Sequence, residues 1–456
     1  MKRRQFIRKT SAGLIMTAGF GHWSIRNNFS PLLQYDFKPY RPGKTLGDVY
    51  QVTPQDGYYA NTYYDIVPWS PSQQYMAVTK LPYQDKITTL GDIAEVCIID
   101  LKNRTIRTVY KTKVWGYQLG ANLHWGSTDR YLFTNDIIEG DHAVTVRIDL
   151  ETGETNAYEG PMYDLAAEQQ NVIGPTLEYL NTTQYAYTTP APRADPAAFM
   201  RLPVGAADDE GLWKTDLQSN QNRLLVSLAS AAASLEEHEY YQGGTFYFFH
   251  TKYNPQADKI MLVVRCTFPD LEKYEYKDSR NPSLLTTDAD GNKIKVVVSR
   301  QQWQAGGHHP TWHPDGEHII MNLTPEWLGE DQLRFCQFKA DGSDFKILSK
   351  KIIGGGHPSI TPDSRYLLSD AYPFEPQALG NGEIPIRLID LQAQKEHSIC
   401  TVFTDLGQKY EVRRFWGPSK LDAHPVWDRK YRQVCFNGAP EGKRAVLVGD
   451  LSTFFS

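Results

Sequence analysis

The 456-residue sequence has few cysteines, and these are widely spaced: Cys97, Cys266, Cys336, Cys400 and Cys435. Their number is odd and no two form a Cys-x-x-Cys pair, which excludes a disulfide-dense scaffold and a zinc ribbon. Several lie in apolar, strand-like runs such as Val96–Ile98. We therefore expect most of them to be buried and unreactive thiols.

Four other signals are also missing. The longest apolar stretch near the N-terminus, Ala12–Phe20, is too short and too glycine-rich to span a membrane. No Gly-x-Ser-x-Gly motif is present, which disfavours a serine hydrolase, and the paired carboxylates of a glycoside hydrolase are not evident. The net charge of −5 lacks the basic surplus that a nucleic-acid partner needs.

Positive charge is concentrated at the N-terminus. Residues 2–9 read Lys-Arg-Arg-Gln-Phe-Ile-Arg-Lys, which resembles the twin-arginine export signature. We predict that residues 1–28 are an export signal and that the protein is periplasmic or secreted; a basic disordered arm is the alternative. Without this segment, which has six basic and no acidic residues, the charge becomes about −11. An anionic substrate would then need a locally basic site.

Aromatic residues are abundant, with 27 Tyr, 19 Phe and 10 Trp. This composition favours strands. It also suits a surface that binds sugars, although most individual rings are expected to fill the core between sheets.

A repeated unit is the most informative feature of the chain. Its clearest copy is His309–Gly316, which reads His-Pro-Thr-Trp-His-Pro-Asp-Gly and precedes the strand-like run Glu317–Leu323. Each copy is followed by a strand that ends in an acidic turn, such as Val146–Asp149. Seven such pairs predict an all-β, seven-bladed β-propeller of four-stranded antiparallel blades, formed as one domain by residues 29–456. Thr45–Pro54 could supply the strand that closes the last blade.

Histidine recurs at one position of the repeat. The residues aligned there are Ile66, Asn122, His250, His309, His357 and His424. Because the first strand of each propeller blade lines the central channel, the four imidazoles should converge and could bind a cation such as Zn²⁺ or Mn²⁺. The alternative is that each His caps a loop. His308 is expected to point away, since neighbouring strand residues face opposite sides.

A second group of polar residues lies earlier in the chain. It consists of His124 and His142 in the second blade, Tyr185 and Tyr187 in the third, and Arg193 and Arg201 on the following loop. These residue types suit proton abstraction beside a carboxylate. Arginine pairs with the carboxylate, His accepts the proton and Tyr returns one to the leaving oxygen. Each of these residues alone is more often structural.

Together, the repeats and these residue groups resemble the seven-bladed propeller polysaccharide lyases. The resemblance to oligogalacturonate lyases implies a divalent metal, Zn or Mn with Ca as a further option, on His309, His357 and His424. That family also uses a Gln three residues before the middle His, where this chain has Gly354, and its catalytic His falls near Arg265 here.

Ulvan lyases of similar fold use two His, a Tyr and an Arg. That resemblance implies catalytic roles for His124, His142, Tyr185 and Arg201. We further expect substrate contacts from Arg193, Tyr187, Arg265 and His250. The implied reaction is β-elimination at a uronic acid. Arg201, helped by His142, would neutralise the carboxylate, His124 or Tyr185 would remove the C5 proton, and Tyr185 would protonate the glycosidic oxygen.

The implied partner is an anionic polysaccharide or oligosaccharide, ulvan-like first and oligogalacturonate second, bound by a monomer. The metal would either bind the substrate carboxylate or only stabilise the ring of blades. The structural role is favoured, because the implied catalytic residues come from other blades. The repeats also resemble periplasmic TolB-like propellers, so a non-catalytic propeller that binds a protein or glycan is the alternative. The lyase interpretation requires His124, Tyr185 and Arg201 to share one cleft.

Overall fold

The structure is a computed structural model that describes residues 24–86, 88–139, 142–177, 179–180, 186–188, 203–270, 275–276, 280–406 and 421–456. These residues form a seven-bladed β-propeller of four-stranded antiparallel blades, which confirms the predicted fold class. Among them, no helix is long and apolar enough to cross a membrane.

The first four blades follow one another along the chain, and their strands are given from the central channel outwards. Blade 1 consists of Tyr58–Ala60, Tyr75–Leu81, Ala94–Asp100 and Thr105–Thr112. Blade 2 consists of His124–Trp125, Tyr131–Asp136, Val144–Asp149 and Glu154–Ala157. Blade 3 consists of Asp164–Leu165, Asn171–Pro175, Gly211–Asp216 and Asn222–Ser227. Blade 4 consists of Thr245–Tyr253, Lys259–Thr267, Ser283–Asp288 and Lys295–Val298.

The last three blades complete the ring. Blade 5 consists of Gly307–Trp312, His318–Leu323, Arg334–Lys339 and Lys346–Ile347. Blade 6 consists of Ser359–Ile360, Tyr366–Ser369, Glu383–Asp390 and Lys395–Phe403. Blade 7 consists of Val426–Trp427, Gln433–Gly438, Ala445–Asp450 and the N-terminal strand Asp48–Gln51.

The N-terminal segment therefore closes the ring. Asp48–Gln51 pairs with Ala445–Asp450, as the Thr45–Pro54 prediction anticipated. Further strands of this segment, Ser24–Arg26, Leu33–Gln34 and Lys38–Pro39, extend the outer edges of blades 2, 1 and 7. The first of them lies ahead of the predicted domain start at residue 29, whereas most of the predicted export signal lies outside the described residues.

Two faces of the ring follow from the antiparallel strand order. One, the turn face, carries the short turns between the first and second strands and between the third and fourth strands of each blade. The opposite loop face carries the longer loops between the second and third strands and the connections between blades. The helices Leu228–Ala233 and Arg300–Gln304 follow the last strands of blades 3 and 4 in such connections. The 3₁₀ turns Glu326–Leu328 and Pro440–Gly442 and the small hairpin of Pro269–Asp270 with Glu275–Tyr276 also lie on loop-face segments.

The recurring sequence signatures are scaffold elements. The repeated Trp residues are buried between blades: Trp69, Trp125, Trp312 and Trp427. The acidic residues at strand ends accept hydrogen bonds from turn amides, as Asp149 does from Glu151 and Thr152. Apolar layers separate neighbouring blades, and all five cysteines are buried in the described structure without a disulfide, which confirms the expectation for the thiols.

Candidate active site

A shared backbone distortion positions the histidines. His250 and His309 lie where the first strands of blades 4 and 5 are bulged, with φ of 51° and 56°. His424 and Asn122 have the same left-handed conformation, with φ of 47° and 51°. These four residues are therefore structurally equivalent, as the repeat alignment predicted.

Blade 6 departs from this register by one residue. There the left-handed conformation, with φ of 60°, belongs to Gly356. A Cβ atom at this position would lie 2.3 Å from both the carbonyl oxygen and Oδ1 of Asp370, so only glycine fits. His357 consequently follows the distortion instead of occupying it.

The four imidazoles meet beneath the loop face and form what we call the four-His cluster: His250, His309, His357 and His424. The rings of His309 and His357 stack with their centroids 3.8 Å apart, and the ring of His424 stands perpendicular to that of His357 at 4.4 Å. The His250 ring is 6.4 Å from that of His309. All four side chains are buried.

The tautomer of His357 is set by Asp370. The Nδ1 atom of His357 lies 2.9 and 3.1 Å from the two carboxylate oxygens of Asp370, so Nδ1 carries the proton that it donates. Nε2 therefore presents its lone pair. This atom is buried and has no hydrogen-bond partner among the residues described. A carboxylate that orients an imidazole in this way is a usual companion of metal-binding histidines.

Asp422 completes a group of donor atoms that fits a metal ion. Donor atoms of His357, Asp422 and His424 all lie within 4.8 Å of one another. By contrast, His309 donates its Nδ1 proton to the carbonyl oxygen of Gly356 at 2.8 Å, and its Nε2 is 3.1 Å from the Tyr372 hydroxyl. The structure thus groups Asp422, in place of the predicted His309, with His357 and His424.

Gly354 occupies the position at which the oligogalacturonate lyases have a Gln ligand. A Cβ atom there would lie 2.8 Å from the backbone carbon of Arg334 and 2.9 Å from Oδ1 of Asn322. The local packing therefore leaves no room for a side chain at this position.

His250 is enclosed by phenol groups. Its Nδ1 lies 2.8 Å from the Tyr163 hydroxyl and its Nε2 lies 3.4 Å from the Tyr63 hydroxyl. The Tyr187 ring is 6.3 Å from the His250 ring. The Arg265 guanidinium lies over the Phe249 ring, which contacts the His250 ring. The predicted substrate-contact residues His250, Tyr187 and Arg265 are thus brought to one place.

Burial sets the protonation states of these groups. It lowers the pKa values of His250 and His309 well below their ordinary value, so both imidazoles are neutral at neutral pH. It raises the pKa values of Tyr63, Tyr163 and Tyr372 well above theirs, so these phenols are protonated. Neutral imidazoles that can accept a proton therefore lie beside phenols that can donate one.

His124 has different neighbours. Its Nε2 lies 3.1 Å from Oδ1 of Asn122, and its Nδ1 lies 3.7 Å from Oδ1 of Asp164. Burial lowers the pKa of His124 to about 4 and raises that of Asp164 to about 7. His142 lies on the loop face between the second and third strands of blade 2 and is half-buried. Tyr185, Arg193 and Arg201 lie outside the described residues.

The turn face holds a separate cavity. It has a volume of about 490 Å³, and its lining includes Asp164, Trp312 and Trp427. Lys252 forms a close ion pair with Asp65 in its wall, and both side chains are largely buried. Tyr64 lines the same cavity, while its ring lies 5.2 Å from that of His357. Tyr64 thus lies between the turn-face cavity and the four-His cluster.

Sequence reasoning missed several members of the site. Tyr63 and Tyr163 adjoin the first strands of blades 1 and 3, Tyr372 lies on the blade 6 loop, and Asp422 stands two residues before His424. Only Asp422 carried a usable signal, a carboxylate beside a predicted ligand. The expectation that His308 points away was wrong. Its Nδ1 lies 2.8 Å from that of His309, because the bulge interrupts the alternation of side chains.

Comparison with known proteins bears on the fold. No family model matches the chain, and no curated protein matches it. An oligogalacturonate lyase solved in complex with manganese superposes with a TM-score of 0.63 at 13% sequence identity, covering 93% of this chain and 99% of the other. An oligogalacturonate lyase from Vibrio parahaemolyticus superposes with a TM-score of 0.62 at 12% identity and the same coverage. These similarities show that the chain shares the propeller fold of oligogalacturonate lyases.

Proposed function

We propose that this protein is a lyase that cleaves a uronate-containing oligosaccharide or polysaccharide by β-elimination. The observation that carries the proposal is the four-His cluster, with its His357, Asp422 and His424 donor group, in a fold shared with oligogalacturonate lyases. Oligogalacturonate becomes the first substrate to test, because both neighbours are named for it, and an ulvan-like polymer becomes the second.

The donor group would hold a divalent metal. Two imidazoles and one carboxylate suit Zn²⁺ or Mn²⁺ better than Ca²⁺, which prefers oxygen ligands throughout. When bound, the ion would supply positive charge for a uronate carboxylate. Bracing of blades 6 and 7, from which its ligands come, is the alternative role.

The elimination needs a base, an acid and a cation. The C5 proton leaves to a base, the C4–C5 double bond forms as the bond from C4 to the glycosidic oxygen breaks, and that oxygen takes up a proton. Neutral His250 is our candidate base, and Tyr63 or Tyr163 our candidate donor. Arg265 would pair with the carboxylate and stabilise the charge that develops beside it.

The sequence-derived set remains the competing assignment. It uses His124 or Tyr185 as the base, Tyr185 as the acid and Arg201, helped by His142, as the carboxylate partner. Arg193 would add a substrate contact. Export through the N-terminal signal, which would place the enzyme in the periplasm or outside the cell, is also part of the proposal.

The experiment follows the ultraviolet absorbance of the unsaturated uronate product. Purified protein loaded with Mn²⁺ or Zn²⁺ is offered oligogalacturonate, ulvan, alginate and glycosaminoglycans in turn. We expect an absorbance increase on one of these substrates that His250→Gln suppresses. Absence of any increase, combined with tight binding of a protein or glycan, would replace the lyase with the TolB-like binding function.

A further inference from the structure

Exposed apolar side chains are concentrated on the loop face. In the described part of the chain, the large apolar residues that are exposed on this face are Leu90, Ile93, Val204, Tyr240, Trp327, Leu328, Phe374 and Leu379. The remaining three belong to the N-terminal segment: Leu32, Leu33 and Tyr50. Among the described residues, the loop face is therefore more apolar than the turn face.

Phe374 is the most exposed of these residues, with 70% of its surface accessible. Its ring lies parallel to that of Tyr372, with an interplanar angle of 6° and centroids 5.1 Å apart. Tyr372 in turn contacts Nε2 of His309 through its hydroxyl, and its ring lies 5.5 Å from that of His357. A continuous series of rings thus connects the four-His cluster to the surface.

The loop that carries Phe374 is held in place by hydrogen bonds. Glu375 accepts the amide proton of Tyr372 at 2.8 Å through its carboxylate and donates its own amide proton to the Tyr372 carbonyl at 3.0 Å. Gln377 donates from Nε2 to the carbonyl oxygen of Gly354 at 3.2 Å. Phe374 is therefore presented on an ordered turn, which limits the entropy lost when a ligand stacks on it.

We propose that Phe374, supported by Tyr372, is a stacking subsite for one pyranose ring of the substrate, beyond the two sugars that flank the scissile bond. The proposal rests on the lyase function. A pyranose presents a face of C–H bonds, and the negative face of an aromatic ring attracts their partial positive charge. Because Phe374 is uncharged, this subsite recognises the sugar ring and does not require a carboxylate on it.

Chain-length dependence tests the subsite. A dimer fills the positions on either side of the scissile bond, whereas a tetramer also reaches Phe374. We expect Phe374→Ala to raise KM for tetragalacturonate by about tenfold and for digalacturonate by less than about twofold, with similar kcat. Phe374→Trp should keep the wild-type KM and Phe374→Leu should not, since a flat ring is needed. Leu379→Ala, an exposed apolar residue on the same loop, is the matched control.

Binding measurements separate the two proposals. Tetragalacturonate is titrated by calorimetry into His250→Gln protein with and without the Phe374→Ala change. Cleavage by the wild type combined with equal binding by both variants would overturn the subsite alone. Binding that Phe374→Ala weakens, without cleavage by the wild type, would retain the subsite and overturn the lyase. Absence of both cleavage and binding would overturn both, and a protein would become the expected occupant of the surface.

Discussion

The two faces of the ring use the same seven repeats in different ways. On the turn face, short acidic turns recur from blade to blade, and the lining of the cavity includes Trp312, Trp427 and the Lys252–Asp65 ion pair. On the loop face, loops of unequal length surround the four-His cluster and carry Tyr372 and Phe374. The difference indicates that the repeated turns preserve the scaffold, while the unequal loops vary the surroundings of the four-His cluster.

The largest expected effect is a loss of kcat, and it tests whether His250 or His124 is the catalytic base. We expect His250→Gln to lower kcat by about 10²–10⁴-fold, because the proposed proton acceptor is lost. His124→Gln should lower kcat by less than about tenfold, because His124 contacts Asn122 and Asp164. Steady-state kinetics, with melting temperatures as the folding check, measure both. The reverse order would favour the sequence-derived set with Tyr185 and Arg201.

The turn face should matter for stability. Lys252→Met leaves the buried Asp65 carboxylate without its cation, so we expect the free energy of unfolding to fall by about 3–5 kcal/mol. Urea denaturation measures the change. Lys259→Met is the control, because its ion pair with Glu317 is more exposed and should contribute less than about 1 kcal/mol. Equal losses in the two variants would contradict a structural role for the buried pair.

The His124–Asp164 pair predicts opposite pH dependences in two variants. In Asp164→Asn, His124 remains with a folded-state pKa lowered to about 4 by burial. His124 takes up its proton at a higher pH in the unfolded chain than in the folded protein. The free energy of unfolding should therefore fall by roughly 3 kcal/mol as pH decreases from about 6.5 to 4.

In His124→Gln, Asp164 remains with a pKa that burial raises to about 7. Asp164 loses its proton at a lower pH in the unfolded chain than in the folded protein. The free energy of unfolding should therefore fall as pH increases from about 4 to 7. Urea titrations across this range measure both variants. Parallel slopes in the two variants would contradict the opposite pKa shifts of His124 and Asp164.

The smallest of the four effects concerns the tautomer of His357. Asp370→Asn keeps the size of the side chain and weakens its control of Nδ1. We expect the affinity for Mn²⁺ or Zn²⁺ to fall by about 10–100-fold. Calorimetry measures the affinity, and Asp290→Asn, an exposed carboxylate on the turn face, is the control. An unchanged affinity would remove His357 from the metal site.

The sequence predicted the scaffold because its signals are local and recur. The buried Trp, the turn residues and the acid at each strand end depend on contacts within one blade or between neighbours. The same repetition predicted that His250, His309 and His424 are equivalent. The prediction that His357 is equivalent to them was wrong, because Gly356 has the left-handed conformation in blade 6.

The rest of the site depends on residues that do not repeat. Tyr63, Tyr163 and Tyr372 come from three blades and meet His250 or His309 only when the ring closes. No spacing in the sequence links them. Asp422 lies beside a predicted ligand, but its place in the donor group depends on how blades 6 and 7 pack.

Mass analysis of the products tests the central claim most directly. Elimination forms a double bond and consumes no water, so the new non-reducing end is one water lighter than the product of hydrolysis. With oligogalacturonate and metal-loaded protein, we predict this lighter product, and we predict its loss in His250→Gln. Products of hydrolytic mass, or equal yields of the lighter product from both proteins, would contradict the assignment of elimination to the four-His cluster.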